Sequence, residues 1–325
     1  MRSPEHEYTT YPRKFNTYKW YKPLLVGLLS GVFYLISMAL IDLLTKLIFG
    51  TSVSGVGYDN MDFYSAAGAF LNGAQAAVYV PCLILAALIV KDRPLSSYFS
   101  SMGGWRWKVF LKTLAAAFVI LGIPTIAWYL IHGQTGDIKW TAGGFLLLTL
   151  FVPLQGLAEE MGYRGLITQT VSSWFMLPIV GVIFQIVLFT SVHPYNSIGR
   201  VEIAVSALLY AMACLFSRGI EAPTALHIIN NMFEIYLTGF GFGTITAEQN
   251  IPYTLFNLGF KLLFVLFILY ADRKLHWFDK VKSDDVAAFN AKMEKMQHQT
   301  ALHLSLQIFL PLRMQQACST AAMRL

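Results

Sequence analysis

Residues 150–167 read LFVPLQGLAEEMGYRGLI, an apolar run that carries the adjacent carboxylates of Glu159 and Glu160 and the guanidinium of Arg164. A charge at the centre of a bilayer costs about 2.5–3.5 kcal/mol on insertion scales, so charges in such a run need partners and usually mark function. Positions 160 and 164 differ by about 40° around a helix, whereas 159 and 164 differ by about 140°. The spacing therefore predicts that Arg164 pairs with Glu160 and leaves Glu159 freer to take a proton.

The composition of the chain predicts a membrane protein. Of its 325 residues, 56% are hydrophobic and only 13% are charged, against about 25% charged in an average soluble domain. Apolar runs of roughly 18 or more residues recur, which is long enough to cross about 30 Å of hydrocarbon as helices. We expect an all-α, polytopic membrane helix bundle of about eight transmembrane helices around a polar catalytic cavity, with seven helices as the alternative. The predicted spans lie near 23–47, 75–90, 109–132, 143–168, 174–193, 201–217, 222–240 and 252–271. The second and sixth are short, and an extension of the second over Gly68 to Gly73 is an alternative.

Lys and Arg are unevenly distributed among the predicted connections. They concentrate before the first span, between the second and third spans, and after the eighth: Arg2, Arg13, Lys14, Lys19, Lys22, Lys91, Arg93, Arg106, Lys108, Arg273, Lys274, Lys280 and Lys282. The alternate connections carry Lys139 and Arg200. This bias predicts a multi-pass protein of the cell membrane with both termini cytoplasmic. The same bias, with membrane lipid as the partner of the basic residues, accounts for the net charge of +6. We therefore expect no nucleic-acid binding.

The chain divides by composition into three parts. We predict a cytoplasmic N-terminal segment at 1–22, a membrane domain at 23–272 whose motif core is 143–240, and a cytoplasmic tail at 273–325. Within the tail, Ser283 is placed to cap a helix that continues to about residue 297. Its apolar stripe fits either a helix lying on the membrane surface or an ordinary solvated helix.

Two further apolar runs carry imidazoles. Residues 182–194 read VIFQIVLFTSVHP and end at His193, with Phe189 one turn earlier. Residues 222–237 read APTALHIINNMFEIYL, and their His227 and Asn231 share a helix face. Alone, a histidine at a helix end is usually interfacial or satisfied, and a His/Asn pair can simply bond across helices. Together with the carboxylates, however, these groups can activate water and hold a developing negative charge, which is the equipment of a hydrolase.

Three motifs therefore follow in order on separate apolar runs: Glu159-Glu160-x-x-x-Arg164, Phe189-x-x-x-His193 and His227-x-x-x-Asn231. This order resembles the CPBP family of intramembrane endopeptidases, which includes CAAX proteases and bacteriocin-processing enzymes and is also called Abi. The resemblance covers about 143–240, and all the motif positions match.

The resemblance implies an intramembrane peptidase and a role for each motif residue. Glu159 and His193 would activate the attacking water, and Glu160 with Arg164 would form an orienting pair. His227 and Asn231 would stabilise the oxyanion of the tetrahedral intermediate. The family is often classed as metalloproteases, and whether a metal or a glutamate base drives its chemistry is disputed. No cofactor is certain from the sequence; zinc held by a glutamate and two histidines is the open alternative.

The substrate implied is a membrane-associated peptide or protein with a hydrophobic or lipidated end, either prenylated or bacteriocin-like. Two other classes of function remain as alternatives. The first is a catalytically silent immunity or scaffold protein, which would usually be expected to lose one of the motif residues. The second is a small transporter that uses the polar cluster as a binding site, which predicts pseudo-repeated halves that the sequence does not show.

Overall fold

The computed structural model describes residues 7–50, 62–133, 135–279 and 286–299. Within those ranges eight helices form the bundle: α1 Lys22–Phe49, α2 Ala66–Val90, α3 Trp107–His132, α4 Ala142–Phe175, α5 Pro178–Ser191, α6 Ser197–Ser217, α7 Glu221–Gly239 and α8 Ile251–Arg273. A 3-10 turn at Tyr11–Lys14 and a short helix at Ser96–Phe99 lie in the connections. The predicted all-α membrane bundle is confirmed.

The bundle contains more helices than are long and apolar enough to cross a membrane. Six of the helices in the described ranges are long and apolar enough to cross a membrane, namely α1 to α4, α6 and α8. Helix α5 has 14 residues, which is about 21 Å of helix, and α7 carries Glu221, His227 and Glu234. The predicted count of about eight is therefore approximate.

Contacts between the connections sort the helix ends into two groups. One group is joined by Arg13 to Ser173, Lys22 to Lys91, Ser101 to Arg218 and Arg218 to Asp272. The other group is joined by Thr141 to Tyr64, Lys139 to Gly239 and Asn196 to Ala247. Consecutive helices therefore run in alternate directions, and the chain enters α1 and leaves α8 at the same end of the bundle.

Two predicted boundaries were wrong. Helix α4 continues through Phe175, and α5 begins at Pro178 rather than at 174. Met176 adopts a left-handed backbone conformation with φ 55°, which ends α4, and proline is favoured in the first turn of the next helix. Helix α2 begins at Ala66, in agreement with the alternative that residues 68–73 extend the second span towards its N-terminus. The Ser65 hydroxyl accepts a hydrogen bond from the Gly68 amide and caps the first turn.

Helix α4 changes its winding just after the paired carboxylates. Met161–Thr168 is π-helical, a form that is rare and often occurs at functional sites. Two glycines let neighbours approach this stretch closely. A Cβ on Gly162 would lie 3.0 Å from the Tyr79 ring, and one on Gly165 would lie 2.7 Å from the carbonyl oxygen of Tyr98. The π-helical stretch is therefore in close contact with the Tyr79 ring of α2 and with the backbone of the connection between α2 and α3.

Two buried apolar clusters hold the helices together. One joins α3, α6, α7 and α8 around Leu226 and Phe264, and the other joins α1, α2 and α4 around Leu83 and Met161. All four of these side chains are fully buried. Helices α4 and α7, which carry the first and third motifs, are thus anchored by apolar packing, which keeps their polar side chains in place.

The predicted tail helix is present at 286–299 and packs on the N-terminal segment. The Phe289 ring contacts Phe15 edge-on at 5.5 Å. Asn290 accepts a hydrogen bond from the Asn16 amide at 2.9 Å and donates one to the carbonyl of Lys14 at 3.1 Å. Both ends of the described chain therefore meet at one end of the bundle. The predicted cap at Ser283 lies outside the described residues, as does the tail from 300 to 325.

Candidate active site

Arg164 pairs with Glu160, as the spacing predicted. Nη1 lies 3.0 Å from Oε1 of Glu160, and both side chains are fully buried. Nη2 donates to the carbonyl of Ala207 at 3.1 Å, and the guanidinium lies over the rings of Phe189 and Tyr210. A buried ion pair is tolerated only with such additional partners. The pair is therefore a fixed link between α4, α5 and α6.

Glu160 also orients His227. Its Oε1 lies 3.0 Å from Nδ1 of the imidazole, and an ionised carboxylate can only accept, so Nδ1 carries a proton. The other ring nitrogen, Nε2, lies 3.6 Å from Oε2 of Glu159. The ring also stacks on Tyr210 with centroids 5.0 Å apart. His227 is thus held between the two carboxylates of α4, with only Nε2 directed away from the orienting pair.

Glu159 is directed away from Arg164. Its Oε1 accepts a hydrogen bond from Nε2 of Gln155, one turn earlier in α4, at 3.1 Å. Among the described residues Oε2 has no hydrogen-bond partner, and the side chain is 23% exposed. The two neighbouring glutamates therefore differ: Glu160 is occupied by cationic and imidazole donors, and Glu159 keeps an oxygen available to a proton.

His193 lies just beyond the end of α5, two residues after Ser191. Its Nδ1 is 2.6 Å from the carbonyl oxygen of Phe189. Because a carbonyl oxygen can only accept, Nδ1 carries the proton in this bond and Nε2 is the nitrogen able to take another. The Phe189 ring packs against the imidazole with centroids 4.6 Å apart. The motif-two phenylalanine thus positions His193 through both its backbone and its ring.

A relay of amides orients Asn231. Nδ2 of Asn257, on α8, donates to Oδ1 of Asn230 at 3.0 Å, and Nδ2 of Asn230 donates to Oδ1 of Asn231 at 3.1 Å. Because the oxygen of Asn231 is engaged as an acceptor, its Nδ2 remains to donate to a further group. The arrangement presents an N–H donor at one turn's distance from His227.

These groups line one cavity of about 640 Å³ inside the bundle. Its wall includes Glu159 from α4, His193 after α5, and His227 and Asn231 from α7. Glu160 and Arg164 contact that wall through His227, Phe189 and Tyr210. The structure therefore brings the predicted site residues together, while their catalytic roles remain predictions.

Other side chains of the site were missed by sequence reasoning. Tyr210 lies between His227 and Arg164, yet a single tyrosine in an apolar run gives no signal. Lys261 did give a signal, because it is a charge in the middle of the eighth apolar run. It is buried, donates to the hydroxyl of Ser206 at 2.9 Å and lies 3.6 Å from Glu202.

The open alternative of a zinc site was compared with the positions of the candidate ligands. Within the described ranges, no three His, Cys, Asp or Glu side chains lie close enough together to bind one metal ion. The arrangement as it stands does not fit a three-ligand zinc site, so no chemical step is derived through a metal.

Comparison with known proteins agrees with the motif resemblance. A family model described as "Type II CAAX prenyl endopeptidase Rce1-like" matches residues 140–233, the segment that contains all three motifs. The predicted resemblance to the CAAX protease family is therefore confirmed, and the match implies a peptidase within a multi-pass membrane protein.

A curated relative is YyaK of Bacillus subtilis (strain 168), an uncharacterized protein. It is 24% identical over 168 residues, which are 47% of this chain and 56% of YyaK. The chain thus spans about half the length of the curated relative that it matches. No solved structure matches the chain.

Proposed function

We propose that this protein is an intramembrane endopeptidase of the CAAX type. Its substrates are membrane-associated peptides or proteins with a hydrophobic, prenylated or bacteriocin-like end. One observation carries the proposal: Glu159, His193, His227 and Asn231, from three separate parts of the chain, line a single cavity. The family match to 140–233 supports the reaction class.

Water activation is assigned to Glu159 with His193. Glu159 offers a carboxylate oxygen without a hydrogen-bond partner among the described residues, and His193 offers Nε2. As a water oxygen attacks the substrate carbonyl carbon, one of its protons passes to Glu159, while Nε2 of His193 accepts a hydrogen bond from the other O–H of the same water. When the C–N bond breaks, the same proton is delivered to the leaving amine.

Oxyanion stabilisation is assigned to His227 and Asn231. The negative charge that develops on the former carbonyl oxygen accepts hydrogen bonds from Nδ2–H of Asn231 and from Nε2–H of His227, which is a donor when the ring carries a proton on both nitrogens, Nδ1–H being held by Glu160. Each such preorganised donor contributes about 3–4 kcal/mol in well-studied enzymes. Glu160 and the amide relay from Asn257 hold these donors before the substrate arrives, which is the condition for a large effect.

We also propose that the protein lies in the cell membrane with both termini cytoplasmic. The basic residues of the described connections support this orientation, because most of them lie at the end of the bundle where α1 begins and α8 ends. The partners on this proposal are membrane lipid and a peptide or protein substrate, with no nucleic acid.

The test uses purified protein in detergent and a panel of hydrophobic peptides, with and without a prenylated cysteine near the C-terminus, and reads the products by mass spectrometry. Wild type is compared with Glu159→Gln and with Glu248→Gln, a matched change at an exposed carboxylate outside the cavity. The proposal expects a cleaved peptide in wild type and Glu248→Gln and none in Glu159→Gln. Cleavage that is equal in all three proteins, or absent from the whole panel, would contradict it.

A further inference from the structure

The cavity contains carboxylates that have no role in the proposed reaction. Three carboxylates line it, those of Glu159, Glu202 and Glu234, and the one ammonium group on its wall is that of Lys261. With the three carboxylates ionised, the sum stays negative unless both His193 and His227, which also line the cavity, carry a proton on both ring nitrogens. An uncompensated negative charge in a cavity between apolar helices is unfavourable. Binding of a cation in the cavity is therefore favourable.

The partners of each carboxylate show where that cation would bind. Glu202 lies 3.6 Å from Nζ of Lys261, and Glu159 lies 3.6 Å from Nε2 of His227. Glu234 accepts a hydrogen bond from the Tyr253 hydroxyl at 2.9 Å. Within the described part of the chain, no Lys or Arg nitrogen lies within 4 Å of Glu234.

The groups around Glu234 do not provide its carboxylate with a cationic partner. The charged groups that face it are Glu202 and Lys261, and Lys261 is paired with Glu202 at 3.6 Å. The next polar groups on the wall are the side-chain amides of Asn230, Asn231 and Gln249, which carry no charge. Glu234 is thus the carboxylate of the cavity that lacks a cationic partner.

The position of Glu234 relative to the oxyanion donors follows from helix geometry. His227, Asn231 and Glu234 lie on the regular helix α7. Residues seven apart lie about 10 Å apart along the axis and within about 20° of the same face. An extended peptide advances about 3.3 Å per residue. A substrate whose scissile carbonyl lies at His227 and Asn231 therefore reaches Glu234 about three residues away.

We infer that Glu234 binds a cationic side chain of the substrate, a lysine or arginine about three residues from the scissile bond. The inference rests on the proposed function, because it specifies the substrate class that the same cavity accepts. It makes this enzyme selective for hydrophobic peptides with one basic residue at a fixed distance from the cleavage site.

The experiment moves one lysine along a peptide that the wild-type protein cleaves. Each lysine peptide is matched by one with norleucine, the uncharged analogue, at the same position, and kcat/KM is measured for positions up to five residues either side of the scissile bond. We expect the lysine peptide to be cleaved about tenfold faster than its norleucine partner at a position two to four residues away, the range of a charge-assisted hydrogen bond. In Glu234→Gln the ratio of kcat/KM for the lysine peptide to that for the norleucine peptide should fall to about one at that position. The control is Asp137→Asn, a change at an exposed carboxylate outside the cavity, in which the ratio should keep its wild-type value.

A binding arm separates failure of the inference from failure of the proposed function. Fluorescent lysine and norleucine peptides are titrated against Glu159→Gln and against Glu159→Gln/Glu234→Gln in detergent. Tighter binding of the lysine peptide that is lost with Glu234 supports the cation site even if no peptide is cleaved, a result that would contradict the proposed function alone. Cleavage without any lysine preference, or a preference that survives Glu234→Gln, would overturn the inference and leave the proposed function standing. Absence of both cleavage and charge-dependent binding would overturn both.

Discussion

At the scale of single residues, two adjacent carboxylates have different environments. Glu160 is fully buried and holds Arg164 and His227, whereas Glu159 is partly exposed and keeps an oxygen without a partner among the described residues. We therefore expect Glu159→Gln to abolish peptide cleavage with little effect on thermal unfolding. Glu160→Gln should also destabilise the fold by about 3–5 kcal/mol, the usual cost of breaking a buried ion pair.

The measurement pairs a cleavage assay with thermal unfolding in detergent, and Glu248→Gln serves as the control for the loss of a carboxylate. Loss of activity in both variants without any change in unfolding would contradict this division of roles. Destabilisation by Glu159→Gln as large as that by Glu160→Gln would contradict it equally, because among the described residues no guanidinium or ammonium group is paired with Glu159, and His227 lies 3.6 Å from it.

Metal dependence is also decided by single residues. Because no three His, Cys, Asp or Glu side chains of the described residues lie close enough together to bind one metal ion, we expect a glutamate-base reaction that continues after prolonged equilibration with a strong chelator. A zinc enzyme would lose activity on chelation and regain it when zinc is added. Elemental analysis is the second readout: one tightly bound zinc per chain, lost with activity in His193→Ala and His227→Ala, would reverse the expectation.

At the scale of secondary-structure elements, the π-helical stretch of α4 depends on a close backbone contact. A Cβ at Gly165 would lie 2.7 Å from the carbonyl oxygen of Tyr98, whereas one at Gly31 on α1 would meet no atom within 4 Å. Gly165→Ala should therefore destabilise the protein by about 1–3 kcal/mol through overpacking, and Gly31→Ala should be neutral or slightly stabilising. Thermal unfolding of the two variants checks this, and equal stability would show that the Tyr98 connection yields freely.

The elements also show what could be read from the sequence and what could not. The pairing of Glu160 with Arg164 was predictable, because it depends only on local helix geometry. The start of α5 was not, because the left-handed conformation of Met176 lies within one continuous apolar run. The amide relay from Asn257 to Asn230 was also beyond the sequence, since it joins α8 to α7. Local spacing fixes which residues share a face, and tertiary packing decides what that face meets.

At the scale of the whole molecule, the two ends of the chain meet. Phe289 and Asn290 of the tail helix contact Phe15 and Asn16 of the N-terminal segment, and we therefore expect an even number of membrane crossings. This favours eight crossings over the alternative of seven. Green fluorescent protein fused after residue 273 should fluoresce, whereas alkaline phosphatase there should be inactive, and fusions after residue 240 should give the reverse. Phosphatase activity after residue 273 would contradict the orientation.

The central claim is that side chains from separate helices act as one hydrolytic site, and a double-mutant cycle of Glu159→Gln and His193→Ala tests it most directly. The measurement is kcat/KM for one cleaved peptide in wild type, both single variants and the double variant. When two groups take part in the same proton transfer, removal of both lowers kcat/KM little more than removal of one. Each single change should therefore lower kcat/KM by about 10²–10⁴-fold, and the double change should lower it no more than the larger of the two single changes does. Losses that multiply in the double variant, or a His193→Ala enzyme with wild-type kcat/KM, would contradict the account.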